Sequence, residues 1–436
     1  MTDSDLSRGV ALLSAAGFDA WEAYHLRRTA RTALLTGDSD LKLLAIEESG
    51  LGIRACRRDR RGFVSTTNLG PQGLRDLLDR LDAVIRSADP EAPWPLAEHP
   101  GGAAGGPQTT PPAVPLLDWR EAESMLREAA SSTRGPGLAA GECRLRQAED
   151  RISIRNSRGL AVAFERRGSS LSVACRTDGG HHSGRFSQFG ATVRDLDPAS
   201  AGRRASMRTA ALAARKARVP ANTTVVLGPW ATASLLQRLS PCLAGEGERS
   251  WMPILGEAVG SGAMTLVDDP RLPGGAGSSP FDDEGVPAEP LCLAAKGILQ
   301  ALAHHCGSAA KAGSASTGHG LRRGFAHLPE VGFHNLCLAG EPGITPEALL
   351  EKAPPCLYLE ELAGSPPFHS GYGRLLTGWG WAVRDGQPAE AVGPVSLADA
   401  LPDLLLKLAR VAGQPLTFPG GTAGTTALFE DVRITG

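Results

Sequence analysis

The chain has 436 residues, 42% of them apolar and 21% charged, with a formal net charge of −2. That length exceeds one ordinary hydrophobic core, so two or three folded units are expected. Interspersed acids and bases with no basic surplus argue against a nucleic-acid binder, and no apolar run reaches the roughly 18 to 20 residues of a membrane span.

The N-terminus, MTDSDLSRGVALLSAAG, starts acidic and continues as an amphipathic helix from Ser4 to Ala16, stopped by Gly17. It lacks the basic start and apolar centre of a secretory signal, and the eight cysteines form no CxxC pair, so a cytoplasmic chain with reduced thiols is expected. AWEAYHLRRTARTALLTG and DLKLLAIEESG alternate as strands do. LGIRACRRDRRGFVSTTNL predicts a hairpin whose polar tip is Arg57–Arg61. PQGLRDLLDRLDAVIRSA carries Pro71 at its start and leucines at helical spacing, predicting an amphipathic helix.

Composition then changes: residues 89–115 are rich in Pro, Gly and Ala and predict a linker or long surface loop. A helix, DWREAESMLREAASS, follows, then strand-rich sequence from Glu142 to about Asp195. ASAGRRASMRTAALAARKA closes this part as a basic helix, expected to present a solvated Arg face over an Ala/Leu stripe. Beyond it come short strands and many Gly/Pro turns, with one helix early and another, SLADALPDLLLKLARVAG, late. No tandem repeat is visible. The expected architecture is α+β: an α/β domain over 1–88, the linker over 89–115, a middle α/β domain over 116–218 and a β-rich C-terminal domain over 219–436.

Few motifs carry chemistry on their own. His304 and His305 beside Cys306 lack a second ligand pair at a metal-binding spacing, and His181–His182 sit in a Gly-rich turn. GGAGSS (274–279) lacks the Lys-Ser/Thr of a phosphate loop, and neither GxSxG nor HExxH occurs. The acidic stretch VDDPRLPGGAGSSPFDDEGVPA (267–288) is built of turn dipeptides, so its carboxylates are expected to bond nearby backbone amides rather than a metal.

Several segments, in order, resemble the TldD/PmbA family: EESGLGIRACRRDRRGFVSTTNL, TLVDDPRLPGGAGSSPFDDEGVPAEPLCLAAKGIL, ASTGHG (with His319 where the family has Asn), FHNLCLAGEPGITPEALLEK and GYGRLLTGWGWAVRDGQPAEAV. The resemblance implies a β-rich C-terminal domain of the TldD/PmbA type and a place in a heterodimeric zinc peptidase. The family's TldD-like branch carries HExxxH on a helix early in that domain. Aligned here, the motif falls on Gln237, Arg238 and Cys242, and the last stretch has no cysteine to complete a metal site. Amide and guanidinium are respectively a poor zinc ligand and no base. The resemblance therefore implies the PmbA/TldE-like branch: no catalytic residue and no metal in this chain, with zinc in a TldD-like HExxxH partner. It further implies a peptide substrate, such as the leader of a ribosomally made peptide product. It leaves His319, His334 and Asn335 as candidates to line a substrate chamber. Two alternatives stand beside it: a stand-alone regulatory or binding protein of the gyrase-modulator type, and an enzyme using Cys242 as nucleophile.

Overall fold

The computed structural model describes residues 4–37, 40–98, 117–213, 219–363 and 376–435. Residues 99–115 of the expected linker lie outside them.

The first half contains α1 (Ser4–Ala15), β1 (Ala20–Thr36), β2 (Asp40–Arg57), β3 (Arg60–Thr66) and α2 (Pro71–Ser87), then α3 (Trp119–Ser131), β4 (Leu138–Asn156), β5 (Ala161–Thr177), β6 (Ser183–Gly190) and α4 (Pro198–Ala213). All six strands form one antiparallel sheet in the order β3-β2-β1-β4-β5-β6. The αβββα order thus occurs twice, and the halves meet along β1 and β4 from Glu22↔Asn156 to Thr36↔Glu142. That internal repeat is invisible in the residues themselves, because the two copies fill equivalent positions with different side chains.

Each half buries its own helices on the sheet. Leu74, Leu77, Leu81 and Ile85 of α2 pack with Leu13, Leu51, Ile53 and Val64. Leu126 and Ala129 of α3 and Ala201 and Ala205 of α4 pack with Leu145, Leu171, Val173 and Cys175. Pro71 opens α2 at its first turn, where a missing N–H costs nothing. Asp118 caps α3 through the Arg120 amide at 2.9 Å. The expected hairpin is present, with Arg57 opposite Arg60 and Arg58 in the left-handed region at φ 57°.

The second half contains β7 (Asn222–Leu227), α5 (Pro229–Leu239), β8 (Leu266–Asp268), β9 (Leu291–Ala295), β10 (Ile298–Leu299), α6 (Cys306–Ala312), β11 (Gly320–Leu321), β12 (Glu330–Val331) and β13 (Leu336–Leu338). It ends with α7 (Pro346–Lys352), β14 (Cys356–Ala363), β15 (Leu376–Arg384), β16 (Gln387–Leu397), α8 (Leu401–Leu406), β17 (Leu408–Phe418) and β18 (Thr422–Thr435). Strand pairing closes on itself, from β18 through β16, β15, β14 and β7 back to β18, a barrel-like ring that leaves no free edge around it. Leu235, Leu236 and Leu239 of α5 pack in the same core as Leu357, Leu359, Phe429 and Val432.

The late helix is shorter than expected. Only Leu401–Leu406 is helical, and Leu408–Phe418 pairs with β18. The apolar run LPDLLLKLARVAG satisfies a helical stripe and a buried strand equally, and the partner strand decides between them.

Candidate functional site

The acidic stretch 267–288 folds into a deeply buried polar cluster. Asp268, Asp282, Asp283 and Glu284 are all 0% exposed. Part of the turn reading holds: Asp269 Oδ1 accepts from the Arg271 amide at 2.8 Å, and Asp282 Oδ1 accepts from the amides of Glu284 and Val286, both at 2.9 Å. The remaining carboxylates reach far beyond their neighbours. Asp268 accepts from the amides of His334 and Asn335 at 3.0 and 2.8 Å and lies 3.1 Å from Nε2 of His319. Asp282 Oδ2 accepts from the Gly320 amide at 2.9 Å.

Asp283 and Glu284 join the two halves of the molecule. Tyr24 Oη donates to Asp283 Oδ1 at 3.3 Å, and Arg166 Nη1 lies 3.0 Å from the same oxygen. Arg54, 2% exposed, donates through Nη2 to Glu22 at 2.7 Å and to Glu284 at 2.8 Å. Arg322, from the second half, pairs back with Glu22 and donates through Nε to the Asp283 carbonyl at 3.1 Å. Glu284 Oε2 also accepts from the Cys306 amide at 2.7 Å. Expecting purely local bonds here was therefore incorrect for Asp268, Asp283 and Glu284, and for one oxygen of Asp282. A buried carboxylate is tolerable when cations and amides surround it: Arg54 of β2 and Arg166 of β5 supply the cations here, and amides of the second half supply the rest.

Burial raises the Glu284 pKa, but Arg54, the Cys306 amide and His305 outweigh it and hold the group below the ordinary carboxylate range. Asp282 has no cation: burial first, then the Glu284 charge, push it well up against the three amides that oppose them.

Four of the five segments behind the family resemblance contribute residues to this joint or to the cluster beside it. Gly50 and Gly52 lie under Phe325, so closely that a Cβ on Gly52 would fall inside contact with the Phe325 carbonyl oxygen. Arg54, two residues on, supplies the cation for Glu284. The spacing G-x-G-x-R thus gives two bare backbone positions for close approach and one charge to lock it.

The three chamber candidates sit in the same cluster. His319 is 0%, His334 1% and Asn335 0% exposed. The rings of His319 and His334 lie 5.6 Å apart beside Asp268. His334 Nε2 lies 2.9 Å from the Gly318 carbonyl, and burial holds this histidine below the usual range against Asp268. Asn335 Nδ2 donates to the Asp269 carbonyl at 2.7 Å and Ser278 Oγ at 3.0 Å. Each of these side chains is occupied by partners within the chain.

His304 and His305 are separate, as their adjacency predicts. Nδ1 of His304 is 3.2 Å from Ser308 Oγ; Nδ1 of His305 accepts from the Gly307 amide at 3.0 Å, capping α6, so its Nε2 donates to Glu246 at 2.9 Å.

The helix aligned with HExxxH is α5 with the 3-10 turn Ser240–Cys242 that follows. Gln237 faces outward: a Cβ on Gly420, in the β17–β18 turn, would lie 3.2 Å from its Nε2. Arg238 donates through Nη1 to the Ser234 carbonyl at 2.9 Å. Cys242 is 3% exposed inside the apolar core, and burial pushes its thiol up to about 11. Gln237 and Cys242 therefore point to different sides of the chain. Metal binding needs a deprotonated thiolate and convergent donors. An exposed amide, a guanidinium and a protonated core thiol do not fit a zinc ion. Next to this helix end opens a cleft of about 550 Å³ lined by Glu246, Glu248, Arg249, Glu330 and Phe333, with Gly420 at its edge.

The arginine that sequence reasoning missed most completely is Arg208. It is 3% exposed rather than solvated, because Ala201, Ala205 and Arg208 share one buried helical face. Spacing of i, i+4 and i+7 was the available signal. Among the described residues no helix is long and apolar enough to cross a membrane.

Residues 107–215 match the PmbA/TldA metallopeptidase central domain and residues 220–436 the PmbA/TldA metallopeptidase C-terminal domain. The metalloprotease PmbA of Escherichia coli is 24% identical over 414 residues, 89% of this chain and 86% of that protein. A TldD homolog of Haemophilus influenzae is 35% identical over 132 residues, 29% of this chain but only 27% of the relative, and an Archaeoglobus fulgidus metalloprotease is 30% identical over 39% of each. In fold, the chain superposes on TldE from Thermococcus kodakarensis with TM-score 0.85 at 18% identity, covering 99% of this chain and 100% of that one. A Thermotoga maritima structure described as a putative modulator of a DNA gyrase gives 0.84 at 21% identity, with 99% and 100% covered. The two domain matches together cover most of the chain and place it in the PmbA/TldD metallopeptidase family.

Proposed function

We propose that this chain is the PmbA/TldE-like, non-catalytic subunit of a heterodimeric peptidase whose TldD-like partner carries HExxxH and the zinc. The observation that carries this reading is the donor set on α5 and its following turn. Gln237 faces outward, Arg238 is cationic, and Cys242 is held protonated in the core. Zinc bound by the partner would supply the activated water; this chain's residues would bind and enclose the peptide. The cleft at Ser240 and Pro241, beside the end of the helix aligned with HExxxH, is the surface this chain would turn toward a substrate. Small unfolded peptides, including leaders of ribosomally made products, are the proposed substrates, since an extended chain can add to strand-rich walls through its backbone.

The test is co-expression with a TldD-like HExxxH protein, followed by light scattering, zinc analysis and hydrolysis of an unstructured peptide. A one-to-one complex, zinc only with the partner, and activity that survives Cys242→Ala are expected. Stoichiometric zinc in the isolated chain, or loss of activity in folded Cys242→Ala, overturns the non-catalytic reading. A stable homodimer that ignores the partner overturns the heterodimer and favours a stand-alone binding protein.

A further inference from the structure

The first half of β2 has a partner on one side only. β1 lies along it from Asp40 to Cys56, whereas β3 pairs with its other side only from Leu51 to Arg57. No strand among the described residues borders the outer edge of Asp40–Ser49. This stretch, DLKLLAIEES, carries apolar side chains at the successive positions 43–46, so both faces of the strand are apolar there. Lys42 to Glu48 are nevertheless all exposed, with Leu43, Leu44 and Ile46 at 46%, 54% and 41%. The pairing with β1 runs from Ala20 to Thr36 without a bulge, and the stretch holds no proline. Natural sheets blunt their free edges; a long, regular, apolar one is suited to taking up another strand.

Charge is segregated along this edge. Lys42 precedes the apolar run, and Glu47 and Glu48 follow it. An antiparallel second copy sets the basic end of one strand against the acidic end of the other. Opposed residues point to the same face, so under twofold symmetry an odd-numbered residue must face an odd-numbered one. With Ala45 opposite Ala45, Lys42 faces Glu48, Leu44 faces Ile46, and the small alanines meet at the axis. On the other face Leu43 meets Glu47, whose exposed carboxylate can turn to solvent. Moving the axis to Leu44 sets Asp40 against Glu48 and Lys42 against Ile46; moving it to Ile46 sets Leu44 against Glu48. Both charged groups are available for the favoured register. Lys42 makes only an exposed pair with Asp40 at 3.3 Å, and Arg28, opposite Glu48 on β1, is already held by Asp150 at 2.7 and 2.6 Å.

We infer that β2 pairs through Lys42–Glu48 with the same strand of a second copy of this chain, antiparallel and with Ala45 on the twofold axis. The first sheet then continues from one copy into the other, and the contact closes at two because each edge is used up. This inference does not rest on the peptidase reading, since the edge belongs to the first half of the chain and the cleft at the end of α5 to the second. A TldD-like subunit on each copy would give a one-to-one complex of twice the mass.

The experiment is sedimentation velocity of the full chain over a wide concentration range, with circular dichroism confirming that each variant is folded. The parent should pass from monomer to dimer. Lys42→Glu opposes like charges at two symmetric places and should raise the dissociation constant about fivefold or more. Adding Glu48→Lys re-forms both pairs with their signs exchanged and should restore the parent value. With the exposed Cys292 changed to Ser, oxidised Ala45→Cys should link two copies covalently, because directly opposed strand residues lie within disulfide reach. Leu43→Cys, which faces Glu47 instead, should not. A chain that stays monomeric, a dimer indifferent to Lys42→Glu, no rescue in the double variant, or no link through Ala45→Cys overturns the assignment. So does a chain that is monomeric alone and uses this edge only for a TldD-like protein or an extended peptide.

Discussion

Arg54→Met tests the buried joint most directly. Arg54 uses a single nitrogen for Glu22 and Glu284, at 2.7 and 2.8 Å, with all three side chains at 2% exposure or less. Removing one member of a buried ion pair generally costs about 3–5 kcal/mol, because the stranded charge keeps its desolvation penalty. Here each carboxylate retains one strong partner, Arg322 for Glu22 and the Cys306 amide for Glu284. The variant also removes Nε, which is buried without an acceptor. Both facts point to the lower end, about 3 kcal/mol. In urea, with a slope of about 2–3 kcal/mol/M, the midpoint should fall by about 1 M or more. Tryptophan fluorescence and far-ultraviolet circular dichroism should be followed together, so that a non-coincident transition shows the halves separating first. Adding Glu284→Gln to Arg54→Met removes the stranded charge and should restore about 1–2 kcal/mol. A loss under about 1 kcal/mol in the single variant, or no recovery in the double, refutes the assignment of the joint to buried charge pairing.

Gly52→Ala should destabilise by about 1–3 kcal/mol, since the new Cβ meets the Phe325 carbonyl rather than a movable side chain; an unchanged thermal midpoint would show that the two halves do not approach as closely as described. Glu284→Gln should flatten the acid limb of stability. Its folded pKa is depressed, so its stabilisation is present above the unfolded value of about 4.3 and is lost as pH falls through the folded one. Asp282 is displaced upward and works in the opposite sense, so the comparison is variant against parent across pH 2–6 by chemical denaturation; parallel curves would refute it.

Local structure was largely legible because local patterns dictate it. Pro71 with its leucine spacing yields α2, Asp118 caps α3, and the polar tip Arg57–Arg61 closes a hairpin. What escaped was set by distant partners. Leu408–Phe418 is a strand because β18 lies beside it, and Arg208 is buried because Phe186, Trp230 and Trp379 surround it. Of the α5 site, the residue types at 237, 238 and 242 were readable, whereas their opposed directions required the end of the helix at Leu239. The acidic stretch was half legible: Asp269 and Asp282 make the local bonds their dipeptides predict, and the partners of Asp283 lie 39, 117 and 259 residues away.

That division explains why the acidic stretch is not a reaction centre although it holds several carboxylates in one place. An acid or base must exchange protons with a substrate, and a metal needs carboxylate oxygens left open. Glu284 spends one oxygen on Arg54 and the other on the Cys306 amide, Asp283 is covered by Tyr24, Arg166 and the Arg322 amide, and Asp268 by His319 and two amides. Carboxylates satisfied in this way fix geometry instead. Glu22 and Arg54 from the sheet, with Glu284 and Arg322 from the second half, alternate in sign along one buried chain of contacts. Sliding one half past the other would bring like charges together in a medium that cannot screen them, so the cluster selects a single register between the halves. On this account the acidic segment 267–288 sets the orientation of the barrel-like domain, and with it the placement of the α5 cleft.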